Sequence, residues 1–345
     1  MGIIRSFGKS PSGDDKDRIT RSTNYKNGEF RNLTETKLDL DKKTIVRVLW
    51  KFLFKPGYTK PPRPIPTVAT DLHALPSDQP VVVWFGHSSY LIKIAGQHIL
   101  VDPVFGGHAS PFNFGVRSFR GSDAYSISDL PPIDLLIITH DHYDHLDHRT
   151  VIPLRDKVKH VCTSLGVSSH LVFWGYDKNK ITEMDWYERK ELPGALELIA
   201  APARHFSGRT FKRNQTLWSS FILRSNEHRI YIGADSGFDQ HYRAIGEKYG
   251  PFDLAILESG QYNKDWAQIH QLPEEAIQAA ADLRAKLVLP VHWGKFSLAF
   301  HPWSEPVQRV LDKAANMNIN VTTPMIGEPI VIGKPWPATH WWKMV

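Results

Sequence analysis

A single cysteine, Cys162, stands among 345 residues. That excludes a disulfide within the chain and any cysteine-built zinc knuckle. No stretch of 18 or more apolar residues occurs, so no membrane-spanning helix is expected. The stretch 1–16 lacks the apolar core of a secretory signal, and a cytoplasmic protein is expected. The body of the chain is short of positive charge. Residues 66–345 hold 27 Lys/Arg against 29 Asp/Glu, which disfavours a nucleic-acid partner. Internal repeats are absent as well. What is present is a 41% hydrophobic and 11% aromatic composition. That is enough for a packed core, in one large domain or two ordinary ones.

The basic charge is gathered at one end. Residues 1–65 hold 15 Lys/Arg against 7 Asp/Glu. Arg47, Lys51, Lys55, Lys60 and Arg63 interleave there with Val46, Leu49, Trp50, Phe52, Leu53, Phe54 and Tyr58. This mixture suits docking on an anionic membrane surface, on the inner face of the membrane. It also suits an arm packed on the main domain with its lysines in water, and the two readings are compatible. Residues 1–44 are polar and read as flexible or loosely wrapped. Pro61, Pro62, Pro64 and Pro66 form an extended linker. The expected division is 1–79, a basic extension with its linker, and 80–345, the main domain.

From Val81 the texture changes. Strands are expected at Val81–Trp84, Tyr90–Ile94, His98–Val101, Ile133–Thr139, His160–Thr163, Leu196–Ala200, Ser219–Leu223, Arg229–Ile232, Leu254–Leu257 and Leu287–Val291. Helices are expected from Leu272-Pro273-Glu274-Glu275 through Leu283, and over Val307–Ala315. Strands in meander, then strands alternating with helices, imply sheets covered by helices.

Four of the 17 histidines lie in Thr139-His140-Asp141-His142-Tyr143-Asp144-His145-Leu146-Asp147-His148. The stretch follows a continuous apolar strand, and packing gives no reason for it. His140 and His142, two apart on an extended strand end, point to one side. Imidazole and carboxylate donors suit zinc, and also iron or manganese. One segment cannot close two metal sites. His205, Asp235 and His292 each follow a further strand, where such sheets place ligands. Seven ligands result. The natural division puts His140, His142 and His205 on one metal. Asp144, His145 and His292 hold the other, and Asp235 bridges the two.

This ordered set resembles the metallo-β-lactamase superfamily. The stretches Phe85–Ser89, Ile99–Phe105, Leu130–Asp134, Gly250–Ala255, His270 with Pro273–Ala276, and His292–Gly294 are similar to its N-acylphosphatidylethanolamine-hydrolysing phospholipase D branch. The segment Leu257–Tyr262 departs from the animal enzymes and looks more like bacterial relatives. The resemblance implies an αββα sandwich of two mixed sheets flanked by helices, two Zn²⁺ per chain and hydrolysis of a phosphodiester. The products would be N-acylethanolamine and phosphatidate. The alternative is a metal-dependent hydrolase of a small soluble substrate, such as a sugar-phosphate lactone or a cyclic nucleotide. An aspartate bridge argues against β-lactam hydrolysis.

Two metals lower the pKa of bound water, and Asp144 is a ligand that also orients it. His270 matches a family active-site histidine, to hold the phosphate or protonate the leaving alcohol. Asp102 is expected to support a ligand histidine from behind. His87 does the same or is a loop histidine bonded to backbone. Tyr143, Phe206, Tyr262, Trp266, Trp293 and Phe296 neighbour these positions. They line an acyl-chain groove or belong to the core, and Tyr143, Tyr262 and Trp293 are the candidates for substrate contact. A phospholipid or small phosphoester is the expected partner, and a second copy of the chain is a candidate.

Overall fold

Runs buried on both faces build two sheets, and helices cover their outer sides. The computed structural model describes residues 5–37, 42–112, 115–210 and 212–345, without the side chains of Asp14, Lys42, Lys43, Ile45, Leu49 and Leu53. The strands are β1 (Tyr25–Lys26), β2 (Glu29–Phe30), β3 (Val81–Trp84), β4 (Tyr90–Ile94), β5 (Gln97–Val101), β6 (Ile133–Ile138), β7 (Val158–Ser164), β8 (Ile181–Met184), β9 (Arg189–Leu192), β10 (Leu196–Ala201), β11 (Ser220–Arg224), β12 (Arg229–Ile232), β13 (Leu254–Glu258), β14 (Val288–Val291) and β15 (Pro329–Val331). The helices are α1 (Asp14–Arg21), α2 (Lys42–Leu53), α3 (His148–Leu154), α4 (Ser168–Phe173), α5 (His241–Tyr249), α6 (Pro273–Asp282) and α7 (Glu305–Met317).

One sheet runs β15-β3-β4-β5-β6-β7-β8 and the other β14-β13-β12-β11-β10-β9. Strands β5 to β8 are parallel, as are β12 to β14. In β13, Leu254 and Ile256 enter the core between the sheets, while Ala255 and Leu257 face the helices. β10 divides the same way, Leu198 and Ala200 against Ile199 and Ala201. Opposite faces of one strand thus both meet apolar partners, which is why these strands read as unbroken apolar runs. Tyr242 and Ile245 of α5, Ile277 of α6 and Val310 of α7 complete the outer layer on the second sheet. Val151 and Leu154 of α3 and Leu171 of α4 join the first. The layers are α, β, β and α.

All ten expected strands form, with ends moved by one or two residues. Beyond the two-residue strands β1 and β2, the strands β8, β9 and β15 were not anticipated. Each is three or four residues at or near a sheet edge, and Arg189-Lys190-Glu191-Leu192 carries no apolar alternation. Glu275 accepts the Leu272 N–H at 2.7 Å and so caps α6.

The N-terminal residues lie closer than a loose wrap. Ile19 of α1 and Phe30 of β2 are buried against Leu165, Trp186, Ala203, Leu217 and Trp218. Burying a side chain such as Phe30 contributes about 1.5–3 kcal/mol. Residues 1–4 and 38–41 of that stretch lie outside the described residues. The basic stretch beyond it forms α2, tied by Arg47 to Asp265 at 2.6 Å. No described helix is long and apolar enough to cross a membrane.

Candidate metal centre

The loops after β5, β6, β10, β12, β13 and β14 leave the sheets at one edge, and their side chains meet there. After β6, Asp147 accepts the Arg149 N–H at 3.2 Å and starts α3. His140 to His145 are confined between strand and helix. Arg209, buried, donates to the carbonyls of Asp141 and Leu146 at 2.7 Å each and clamps this loop. The same guanidinium donates to the Ser6 carbonyl at 2.7 Å, which ties the N-terminal residues to the loop.

All seven sequence-derived ligand candidates converge. His140 Nε2 lies 3.0 Å and His205 Nε2 3.2 Å from His142 Nδ1. Asp235 Oδ2 is 3.1 Å from His145 Nε2, 3.8 Å from His205 Nε2 and 3.9 Å from His140 Nε2. Its other oxygen is 3.1 Å from His292 Nδ1. Asp235 therefore stands between the two triplets. Asp144 Oδ2 is 3.6 Å from His145 Nε2. The donor atoms of His140, His142, His205 and Asp235 lie within 4.8 Å of one another. So do those of His87, Asp144, His145 and His292.

Hydrogen bonds from behind orient the rings. His145 Nδ1 donates to Asp102 Oδ2 at 2.8 Å. Asp102 also accepts the Thr139 N–H at 2.8 Å and its hydroxyl at 2.6 Å. The Thr139 hydroxyl, its proton thus committed, accepts from His140 Nδ1 at 3.0 Å. His205 Nδ1 donates to the Ile269 carbonyl at 2.9 Å. In each neutral ring the proton sits at the rear, so a bare Nε2 faces the centre. One N–H on His142 serves only one of its two neighbours. His142 Nε2, His145 Nε2, His292 Nε2 and Asp235 Oδ1 are buried without a hydrogen-bond partner among the described residues. Protonating the rings is opposed by burial, which pushes His142 down to about 4 and His140 well below its usual range. Lone pairs and a carboxylate gathered this way fit divalent cations.

The second group is more anionic. Burial pulls the His145 imidazole down, but Asp235, Asp144 and Asp102 outweigh it and hold it well above the usual value. Burial pushes Asp235 up to about 6. The His87 ring donates to Asp144 Oδ2 at 2.9 Å, so it serves a ligand candidate rather than backbone. His87, Asp102 and His292 all have positive φ, at 53°, 40° and 67°. Such left-handed backbone costs about 1–3 kcal/mol per residue and clusters at functional sites. Gly260 lets the chain pass; a Cβ there would lie 2.1 Å from the His292 carbonyl oxygen.

His270 lies beside the cluster, with ring centroids 5.0 Å from His205 and 5.2 Å from His292. Its Nδ1 meets Glu258 Oε2 at 2.8 Å. Burial pushes the Glu258 carboxyl well above its usual range. Glu258, Ser88 and Thr139 were not anticipated. Ser88 Oγ lies 3.0 Å from His292 Nδ1. Glu258 ends an apolar strand and reads there as a core position.

The three aromatic candidates separate. Tyr143 lines a cavity of about 670 Å³ with Phe7, Phe112, Phe206 and Arg213. Tyr262 instead stacks on His301 and bonds Glu305 and Arg309. Trp293 is 1% exposed and packs in the core between Trp84 and Trp341. With φ of 67° at His292, the chain turns Trp293 inward. A second cavity of about 350 Å³ is lined by Asp235, His270, His292, Val48, Phe52, Trp266 and Leu298. His142, Asp144, Phe206 and Arg213 line both cavities.

A family model described as a beta-lactamase superfamily domain matches residues 97–293. An uncharacterized protein of Mycobacterium bovis is 36% identical over 329 residues, 94% of this chain and 88% of that protein. The N-acyl-phosphatidylethanolamine-hydrolyzing phospholipase D 1 of Caenorhabditis elegans is 31% identical over 229 residues, 62% of this chain and 64% of its own length. The structure of Igni18, a metallo hydrolase from the archaeon Ignicoccus hospitalis, superposes with a TM-score of 0.58 at 19% identity, over 74% of this chain and all of that one.

Proposed function

The chain belongs to the metallo-β-lactamase superfamily of metal-dependent hydrolases, and from that premise we propose a phosphodiesterase of the phospholipase D type. Its substrates are N-acylphosphatidylethanolamine-like lipids, cleaved to N-acylethanolamine and phosphatidate. The observation that carries this reading is a candidate metal centre flanked by two cavities with largely apolar walls, Phe7, Phe112 and Phe206 in one and Val48, Phe52, Trp266 and Leu298 in the other. A diester with apolar chains on both sides of its phosphate needs such room. The worm relative's activity supports the same class.

Two zinc ions, held by the seven residues with Asp235 between them, would supply an activated water and polarise the phosphoryl oxygens. The chain's own groups do the rest. Asp144, fixed by His87, orients the nucleophilic water. His270 stands at the wall of the smaller cavity, where it holds the phosphate or delivers a proton to the leaving alcohol.

A peripheral position on the inner face of a membrane goes with this substrate. Helix α2 turns Val48 and Phe52 to the cavity, while Val46, Trp50 and Phe54 are 66%, 64% and 62% exposed. These three recur every fourth residue and form one stripe beside Lys51 and Arg47. Packing on the domain and docking on lipid thus use different sides of α2. The side chains of Leu49 and Leu53 lie outside the described residues.

The test is turnover by zinc-loaded protein on N-acylphosphatidylethanolamine in vesicles and on a water-soluble diester, with N-acylethanolamine measured by mass spectrometry. Faster turnover of the vesicle substrate is expected. Turnover confined to the soluble diester, or to a lactone or cyclic nucleotide, would replace this reading with the small-substrate hydrolase.

A further inference from the structure

We infer that Glu258 is the positioning residue of His270 and fixes which ring nitrogen faces the substrate cavity. This rests on the place given to His270 in the proposed phosphodiesterase. Glu258 ends β13 and is buried. A carboxylate there is costly unless both oxygens are used. Both are. Oε1 accepts the Ser236 N–H at 2.8 Å, immediately after Asp235. Oε2 meets His270 Nδ1 at 2.8 Å. The Gln271 side chain donates to the Glu258 carbonyl at 2.7 Å, and the Gln271 N–H donates to the Ser236 carbonyl at 3.1 Å. The end of β13, the Asp235 loop and residues 270–271 are thereby tied into one unit.

The Ser236 N–H on Oε1, together with the charge that two bound cations would add beside it, offsets the burial that favours a neutral Glu258, and the ionised carboxylate only accepts hydrogen bonds. The proton in the Glu258–His270 contact therefore sits on Nδ1, and Nε2 is left bare toward the cavity that His270 lines with Asp235 and His292, where it takes up the proton that the attacking water releases and passes it to the leaving alcohol. The flanking rings of His205 and His292 restrict how far His270 can swing. What remains open is the tautomer, and Glu258 sets it.

Glu258→Gln tests this without changing shape. Its oxygen must still accept from Ser236, so its NH₂ faces His270 and donates. The Nδ1 atom then has to accept, and the proton moves to Nε2. In the zinc-loaded, ¹⁵N-histidine-labelled protein, the His270 signals are assigned by their loss in His270→Ala. We expect wild type to show His270 protonated at Nδ1, and Glu258→Gln to show it at Nε2 with metal content unchanged. Turnover should fall most of the way to that of His270→Ala, and the double variant should fall no further. Protonation of wild-type His270 at Nε2 overturns the inference even if the variant does not fold. So does full turnover in Glu258→Gln, or loss of metal from it, which would make Glu258 a support of the metal centre instead. If His270→Ala keeps its turnover, the role proposed for His270 fails, while the tautomer measurement still decides whether Glu258 positions the ring.

Discussion

The two halves of the candidate metal centre lean on different partners. His140 and His205 are backed by a neutral hydroxyl and a backbone carbonyl, those of Thr139 and Ile269. On the other side the Asp102 carboxylate backs His145, and His87 braces Asp144. Burial in the first half drives His140 and His142 toward the neutral state. In the second, clustered carboxylates outweigh burial and favour positive charge at His145, the place a bound cation would take. The two donor groups on either side of Asp235 are thus electrostatically unequal. The first is a set of neutral donors. The second is an anionic pocket whose strength depends on its outer partners.

The residue common to both halves should matter most. Asp235→Ala removes the carboxylate between them, and turnover should fall by more than the roughly 100-fold typical of losing an outer partner. Steady-state kinetics on a phosphodiester measure it, and a loss under 10-fold would show that the halves do not share this residue. Asp102→Asn comes next. It should weaken metal binding in the second half by about 10–100-fold. Thr139→Val should act more on the first half, through His140, and more weakly. Competition with a chromophoric chelator measures both, and equal weakening of the two halves by Asp102→Asn would break the comparison.

His87→Ala should loosen only Asp144, with a fall in turnover of less than the roughly 10-fold lower bound for an outer partner. If it instead removes a metal ion, His87 is itself a ligand. The smallest effect is expected at the surface of α2. Trp50→Ser with Phe54→Ser should leave turnover of a soluble diester unchanged and reduce binding to anionic vesicles several-fold in a co-sedimentation assay. Unchanged binding would assign the stripe no part in lipid contact.

The seven converging donors could be read from the sequence because each follows an apolar strand, and parallel strands buried on both faces announce themselves. His140, His142, Asp144 and His145 are also local to one segment. Glu258 was hidden for the opposite reason. It closes an apolar run like a core residue, and its partners Ser236 and His270 lie 22 and 12 residues away in chain positions that only the fold joins. Trp293 shows a further limit. It adjoins His292, yet a left-handed residue turns it into the core, and sequence does not report that φ. The same holds for α2, where residues four apart are exposed and their neighbours line a cavity. Edge strands such as β9 are short and polar, so their pairing is set by the strand beside them.

The account stands on two cations sharing Asp235. Elemental analysis of the purified protein, wild type and Asp235→Asn side by side, tests it most directly. Two divalent ions per chain, with zinc predominant, and fewer than two in Asp235→Asn are predicted. A reproducible single ion that Asp235→Asn leaves unchanged would contradict it.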